Sequence, residues 1–412
     1  MDSGVLKRLR ETRCLSQKQV ADAVGTDVYT VCKWESGKRG ISPYYRKKLC
    51  EFFAVSAEEL GFVDAKKEDD VKRRDVLKTM SIVAVPTLLK FKSFDLEWFE
   101  KEARILWKLH YAQSAHEAIP EITEYIQILE LIYSEATNNL KRHMSGTLCS
   151  LCRLAATIYR DQGLFDLALT YANQGIKYAR ANGPDEYSLQ LLAASQYTRG
   201  VVNHAWGSMG KDVRHGHILF ERAKIQDACT NFEQAAKTAG PLLKGIVYLE
   251  LSRAKAQMAR SPQERAEALS LLEAAEPFTN IKGNDDYYDQ IMLYGDIKGI
   301  DKNRLHLGRA KTYLALGLPE KVIDELNCCQ ATHLRRRGWS QIFYVQALLQ
   351  LGDKRSAIQL ATQALLDCRE AGSISHLARM NEIYKELKDQ FPQDIEVIRL
   401  GKLLAEVFPD TR

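Results

Sequence analysis

Apolar residues recur along this chain at intervals of three and four, and the strict alternation of a half-buried strand is almost absent, so the pattern predicts helices throughout. The clearest stretch is Leu15 to Lys38. Ser16, with Gln19 three residues on, has the form of a helix N-cap and its capping-box partner. Val20, Ala23 and Val24 then predict one apolar face, and Gly25 stops the helix by tolerating a left-handed backbone. Asp27 caps a second short helix in which Val31 and Trp34 share a side, and Ser36-Gly37 closes it. Two helices joined by a tight Gly-containing turn make a helix-turn-helix unit. Around it, Leu6 and Leu9 give a preceding helix its apolar side. Ser42-Pro43 opens a fourth helix that supplies Leu49, Phe52 and Phe53 to the core, and Ser56 with Glu59 caps a fifth.

The stretch from about Val5 to Phe62, a seventh of the chain, resembles the phage-repressor/Cro-like helix-turn-helix proteins. The resemblance rests on Leu15-Ser16-Gln17, Val20-Ala21, Gly25, Val31, Trp34-Glu35-Ser36-Gly37-Lys38 and Val55-Ser56-Ala57-Glu58-Glu59-Leu60. With Val31, Trp34 and Glu35 turned inward, Tyr29 and Lys33 lie four apart on the opposite side of the third helix, flanked by Val28 and Cys32. Lys33 can donate to the acceptor edge of guanine, Tyr29 offers a hydroxyl and a ring, and Val28 can touch a thymine methyl. Val28, Tyr29 and Lys33 are therefore the expected base readers. Val28 and Cys32 stand where the family often carries Gln or Arg, which leaves room for readout of DNA shape. The resemblance places phosphate contacts at Gln17, Thr26, Thr30, Lys38 and Arg39, at helix ends where backbone amides also favour anions. It further implies a structural ion pair between Arg10 and Glu35. A helix-turn-helix kept only for docking proteins is the alternative, since the shape alone does not prove DNA binding.

From about Ser93 onward the helices come in pairs. A turn Gly precedes a small or β-branched residue by five in Gly163 to Ala168, Gly317 to Val322 and Gly352 to Ala357, and Tyr159 and Tyr313 stand four before their Gly. Small residues return seven later at Gly175, Cys329 and Ala364. Ala228-Phe232-Ala235 and Ala268-Leu272-Ala275 repeat the second half of the pattern. This resembles the tetratricopeptide repeat, about 34 residues of paired helices, with insertions around Gly207 to His217 and Pro277 to Asp301. Such pairs stack into a superhelix whose inner groove binds an extended peptide or a partner helix. Tyr197, Arg199, Asn203 and His204 fall on one first-helix candidate as groove residues, with an ordinary solvated helix face as the alternative. Ile395 to Val407 is expected to cap the stack.

The chain thus reads as all-α: a five-helix repressor-like domain over residues 1–63, a charged linker and apolar connecting helix over 64–92, and a tetratricopeptide-type solenoid over 93–412. Composition and charge alter this picture little. The 412 residues carry a net charge of +5, of which the first 62, with 11 Lys/Arg against 8 Asp/Glu, hold +3. So weak a bias in one reader predicts a homodimer that reads two half-sites. Nine scattered cysteines point to a reducing, cytoplasmic compartment, there in contact with DNA in the nucleoid. Cys149 and Cys152, amid Leu148, Leu151, Leu154, Ala155 and Ile158, read as core, not as zinc or redox ligands, and Cys328-Cys329 likewise. His215 and His217 lack a nearby ligand partner, and Asn284-Asp285-Asp286 lacks the spacing of a calcium loop. Arg73-Arg74 with the apolar run to Leu89 mimics an export signal, but it lies behind a folded domain and is too short and broken to span a bilayer. Arg335-Arg336-Arg337 is an exposed charge run or an attraction for an acidic partner.

No phosphate-binding Gly loop, nucleophile motif or metal set is present, so neither a catalytic role nor a cofactor is expected. Two readings stand. In one, a DNA-binding regulator senses a signalling peptide or protein in its repeat groove and acts as a dimer on double-stranded DNA, with no membrane partner. In the other, the repeats dock a fixed protein and the reader only localises the complex.

Overall fold

The computed structural model describes residues 4–13, 15–36, 41, 43–53, 55, 96–112, 116–181, 185–281, 300–330 and 334–408. The chain divides into two compact units, Met1–Lys92 and Ser93–Arg412. The expected fifth helix, the connecting helix, the twin-arginine stretch and Asn284 to Asp286 lie outside the described residues.

The first unit contains α1 (Gly4–Thr12), α2 (Gln17–Val24), α3 (Val28–Glu35) and α4 (Pro43–Phe53). The Ser16 hydroxyl accepts from the Gln19 amide while the Gln19 side chain accepts from the Ser16 amide, the reciprocal capping box that starts α2. Gly25 ends it at φ 74°. The core is Leu6, Val20, Ala21, Val24, Val31, Trp34, Ile41, Leu49 and Phe53, with the Trp34 and Tyr45 rings 5.0 Å apart. One expectation is corrected: Ala23 is exposed and Ala21 takes its place. The buried stripe of this eight-residue helix runs through positions i, i+1 and i+4, which centres it between Val20 and Ala21.

The second unit is a series of antiparallel pairs. These are α5 (Leu96–Ala112) with α6 (Ile119–Glu135), α7 (Asn138–Asp161) with α8 (Phe165–Ala181), and α9 (Glu186–Met209) with α10 (Arg222–Thr238). There follow α11 (Pro241–Met258) with α12 (Pro262–Ala275), α13 (Lys302–Ala315) with α14 (Pro319–Asn327), α15 (Leu334–Gln350) with α16 (Lys354–Glu370), and α17 (Ile374–Gln390) with α18 (Ile395–Ala405). Each first helix packs on the first helix of the next pair and, from α7 onward, closely on its own partner, while α5 meets α6 through the Trp98 and Phe99 rings on Tyr125. The turn glycines Gly163, Gly317 and Gly352 have φ of 70°, 66° and 78°, the left-handed conformation that reverses the chain between paired helices. Ala168, Val322 and Ala357, five residues on, are fully buried. So are Ala228, Phe232, Ala235, Ala268 and Ala275. Cys329 departs from the pattern: α14 ends at Asn327, so Cys329 lies beyond the helix, half-buried, with its thiol on the Asn303 carbonyl.

The insertion after α9 is not a slack loop. Residues Lys211–His215 form a 3-10 turn whose Val213 enters the core shared by the last three helix pairs. Asn381 of α17 donates to the Gly216 carbonyl at 3.0 Å, and Arg379 donates to the Ser208 carbonyl at 2.7 Å. The third pair is thereby clasped to the seventh.

Close packing makes a prediction. A Cβ at Gly207 would lie 2.8 Å from the backbone nitrogen of Ile225, which cannot swing aside, whereas a Cβ at Gly317 would meet nothing within 4 Å. Gly207→Ala is expected to cost about 1–3 kcal/mol of overpacking. Gly317→Ala should cost about 1 kcal/mol, from its positive φ alone. Urea unfolding of the two variants checks the order.

Candidate nucleic-acid interface and inner cavity

On α3 the side opposite the core is open. Tyr29 is 67% exposed and Val28 41%, Cys32 is exposed, and Lys33 is half-buried with its Nζ 5.0 Å from the Tyr29 ring centroid. Helical spacing thus gathers Val28, Tyr29 and Lys33 on one surface. The inward side carries Val31, Trp34 and Glu35. Asp27 starts the helix by accepting from the Thr30 amide at 2.8 Å, and these bonds hold its carboxyl below the usual value.

The expected phosphate contacts are less uniform. Thr30 is corrected: it is only 6% exposed, and its hydroxyl donates to Asp27 Oδ2 at 2.8 Å, so it completes the cap instead of facing a backbone. Its third-residue position in the helix makes it the natural partner of an Asp cap. Gln17 is half-buried and donates through Nε2 to Glu35 Oε2 at 2.8 Å, while Thr26 is half-buried in the turn. Lys38 and Arg39 lie outside the described residues.

Arg10 and Glu35 are brought together as a two-pronged pair, Nε to Oε1 at 2.6 Å and Nη2 to Oε2 at 3.0 Å. A third guanidinium nitrogen, Nη1, donates to the Leu15 carbonyl at 3.0 Å, so one side chain ties α1 to α3 and to the start of α2. Burial works to raise the Glu35 carboxyl, but the hydrogen bonds from Arg10 and Gln17 outweigh it and hold it below its ordinary value.

In the second unit the first helices surround a cavity of about 240 Å³. Every residue lining it belongs to α5, α7, α9, α11, α13, α15 or α17, the inner layer of the stack. The four groove residues expected on α9 are separated. Tyr197 and His204, seven apart, face the cavity. Arg199 and Asn203 do not: at 100° per residue they point to other sides, Arg199 bonding Asn231 of α10 and Asn173 of α8, and Asn203 lying buried. Sequence reasoning missed Arg153, Arg253, Lys311 and Trp339, which face the same space. Their common signal was a charge or a ring on the inner stripe of a first helix, visible only once the pairs were in register. Arg336, from the basic run, also lines the cavity and pairs with Asp301 at 3.6 Å, while Arg337 is held by Asp367 at 2.6 Å.

At the cavity wall Glu250 is shared by Lys311 Nζ at 3.2 Å and Arg253 Nη1 at 3.8 Å. Burial would raise its carboxyl, but Lys311 and Arg253 bring it down to about 2. Cys149 and Cys152 are fully buried on α7, and burial pushes both thiols up.

Two expectations follow. Arg10→Ala leaves the Glu35 carboxylate, 4% exposed, without its cation, and should cost about 3 kcal/mol. Hydrogen exchange of the α2 and α3 amides in the full chain measures it, and unchanged protection would contradict the role given to the pair. Glu250 is ionised in the fold to lower pH than when unfolded. Its stabilisation is therefore complete above its ordinary value of 4.5 and lost as pH falls toward about 2, by at most about 3 kcal/mol. Glu250→Gln should melt below the parent chain at neutral pH, with the gap closing across that window.

No curated protein matches the chain. Among solved structures, that of Bacillus thuringiensis PlcR in complex with the peptide PapR7 and DNA is similar at 14% identity, covering 71% of this chain and 95% of that one. Its TM-score of 0.24 is too low to support any inference. Residues 6–60 match the helix-turn-helix family. Together with the capped α2, the left-handed Gly25 and the open face of α3, that match makes residues 6–60 a helix-turn-helix domain, followed along the chain by tetratricopeptide-like helical pairs.

Proposed function

We propose that the protein is a sequence-specific transcriptional regulator that binds double-stranded DNA as a homodimer and responds to a peptide held by its repeat domain. The observation that carries the DNA half is the exposed Tyr29–Lys33 face of α3, backed by a core that fixes the helix. In this reading Lys33, Tyr29 and Val28 meet base edges in the major groove. Gln17, Thr26, Lys38 and Arg39 meet phosphates, which position the domain without carrying sequence information. The peptide half is supported by the inner cavity. Its volume of about 240 Å³ lies just below the usual range of ligand pockets, about 300–1,000 Å³. Polar and aromatic side chains converge on it from every first helix, as a site for the end of a short peptide requires, and this favours a sensor over a fixed scaffold. Working in the cytoplasm, such a regulator would switch because the ligand prefers one dimer geometry, and with it one half-site spacing.

Selection of DNA fragments retained by the purified full chain tests the reading. Lys33→Ala should change preference at one base step by about 1–3 kcal/mol. Lys38→Ala should weaken binding to all sequences alike and reduce the salt slope by about one. Equal, sequence-blind losses from both would overturn the assignment of Lys33.

A further inference from the structure

The inner cavity is strongly biased in charge. Among the described residues, Arg153, Arg160, Arg253, Arg304, Lys311 and Arg336 line it, against Asp161 and Glu250. Both carboxylates are already engaged: Asp161 by Arg160 at 2.7 Å and His110 at 3.6 Å, Glu250 by Lys311 and Arg253. Arg253, Lys311 and Glu250 each keep 15–18% of their side-chain surface open. Burial eases the Lys311 ammonium toward losing its proton, with Arg253 and Arg304 acting the same way and Glu250 against them.

His204 adds an independent observation. It is 4% exposed, faces the cavity, and its Nε2 has no hydrogen-bond partner among the described residues. Burial first, then Arg253, hold its pKa well below the usual histidine value, so the ring is neutral and can present an N–H. A buried polar nitrogen left unpaired costs about 1–3 kcal/mol, which an acceptor on a ligand would recover. Trp107, Tyr197 and Trp339 supply the aromatic walls of the same space.

We propose that this cavity is a carboxylate site that captures the anionic end or side chain of a short peptide, with Arg253, Lys311 and His204 as donors and Trp107 and Trp339 flanking the neighbouring apolar residue. This rests on the peptide-sensing reading above. Glu250 competes with the ligand for two of the donors and sets the strength of the site.

The test uses the full chain and four mixtures of random heptapeptides, with thermal melting as the readout. One mixture has free C-termini and all residues. A second is C-terminally amidated, a third lacks Asp and Glu, and a fourth is amidated and lacks both. The first mixture should raise Tm and the fourth should not, while the second and third show whether the C-terminus or a side chain is the source. Arg253→Gln should abolish the shift. Glu250→Gln, which frees donors, should enlarge it, so the proposal stays testable if Arg253→Gln fails to fold. A fourth mixture as effective as the first, or a shift indifferent to both substitutions, overturns the carboxylate site and leaves peptide sensing standing. If no mixture raises Tm in the parent chain or in Glu250→Gln, peptide sensing itself fails and the site with it.

Discussion

Helices can pass within backbone contact only where the residue between them is small, and the repeat unit is built on that constraint. Gly200 lies against the Phe232 ring, Gly207 against Ile225 and Gly308 against Leu249, each at distances where a Cβ would collide. These contacts fall between α9 and α10 and between α11 and α13, so they set both the spacing inside a pair and the step from one first helix to the next. With the first helices held that close, their inner stripes converge on one space. The cavity is therefore a consequence of the packing rule, and its contents are whatever the sequence places on those stripes.

What it places there is mostly charge. A guanidinium such as Arg153, 2% exposed, is expensive to bury, and it is tolerated here because Nε reaches the Thr198 hydroxyl at 3.2 Å and the cation lies 5.9 Å from the Trp107 ring centroid. A hydrophobic lining of similar volume would have given an equally compact superhelix at less electrostatic cost. The same logic separates two carboxylates that cations hold, Glu35 and Glu250. Glu35 is fully satisfied by Arg10 and Gln17 and closes a helix junction. Glu250 is balanced by two cations that still present surface to the cavity, so it belongs to a site and not only to a joint.

The N-terminal unit was legible because its information is local. Ser16, Gln19, Gly25 and Asp27 act on backbone groups within four residues, and the structure uses each as the sequence suggests. The turn glycines of the repeats were legible for the same reason. Ala23 and Thr30 were misread because in an eight-residue helix one position shifts a residue from core to surface, and a hydroxyl beside an Asp cap is consumed by it. The cavity was hardly legible. Tyr197 and His204 belong to it, but Arg153, Arg253, Lys311 and Arg336 come from four different helices, and only the superhelical register brings them together. Grouping Arg199 and Asn203 with Tyr197 failed because proximity along a helix was taken for a shared face.

The clasp between the third and seventh pairs gives this register a physical consequence. Without it, a stack of pairs is quasi-one-dimensional, and its curvature can vary because each pair touches only its neighbours. With Asn381 on the Gly216 carbonyl, Arg379 on the Ser208 carbonyl and Val213 in the terminal core, the third and seventh pairs depend on one another. Seven first helices then contribute to one cavity wall, and a group seated there would contact several at once. Only an interaction that differs between arrangements can shift a population, and moving it from 1:99 to 99:1 takes about 5.5 kcal/mol of differential affinity. A clasped stack whose first helices all turn side chains toward one space can concentrate such a difference, because loosening the clasp would pull those groups apart.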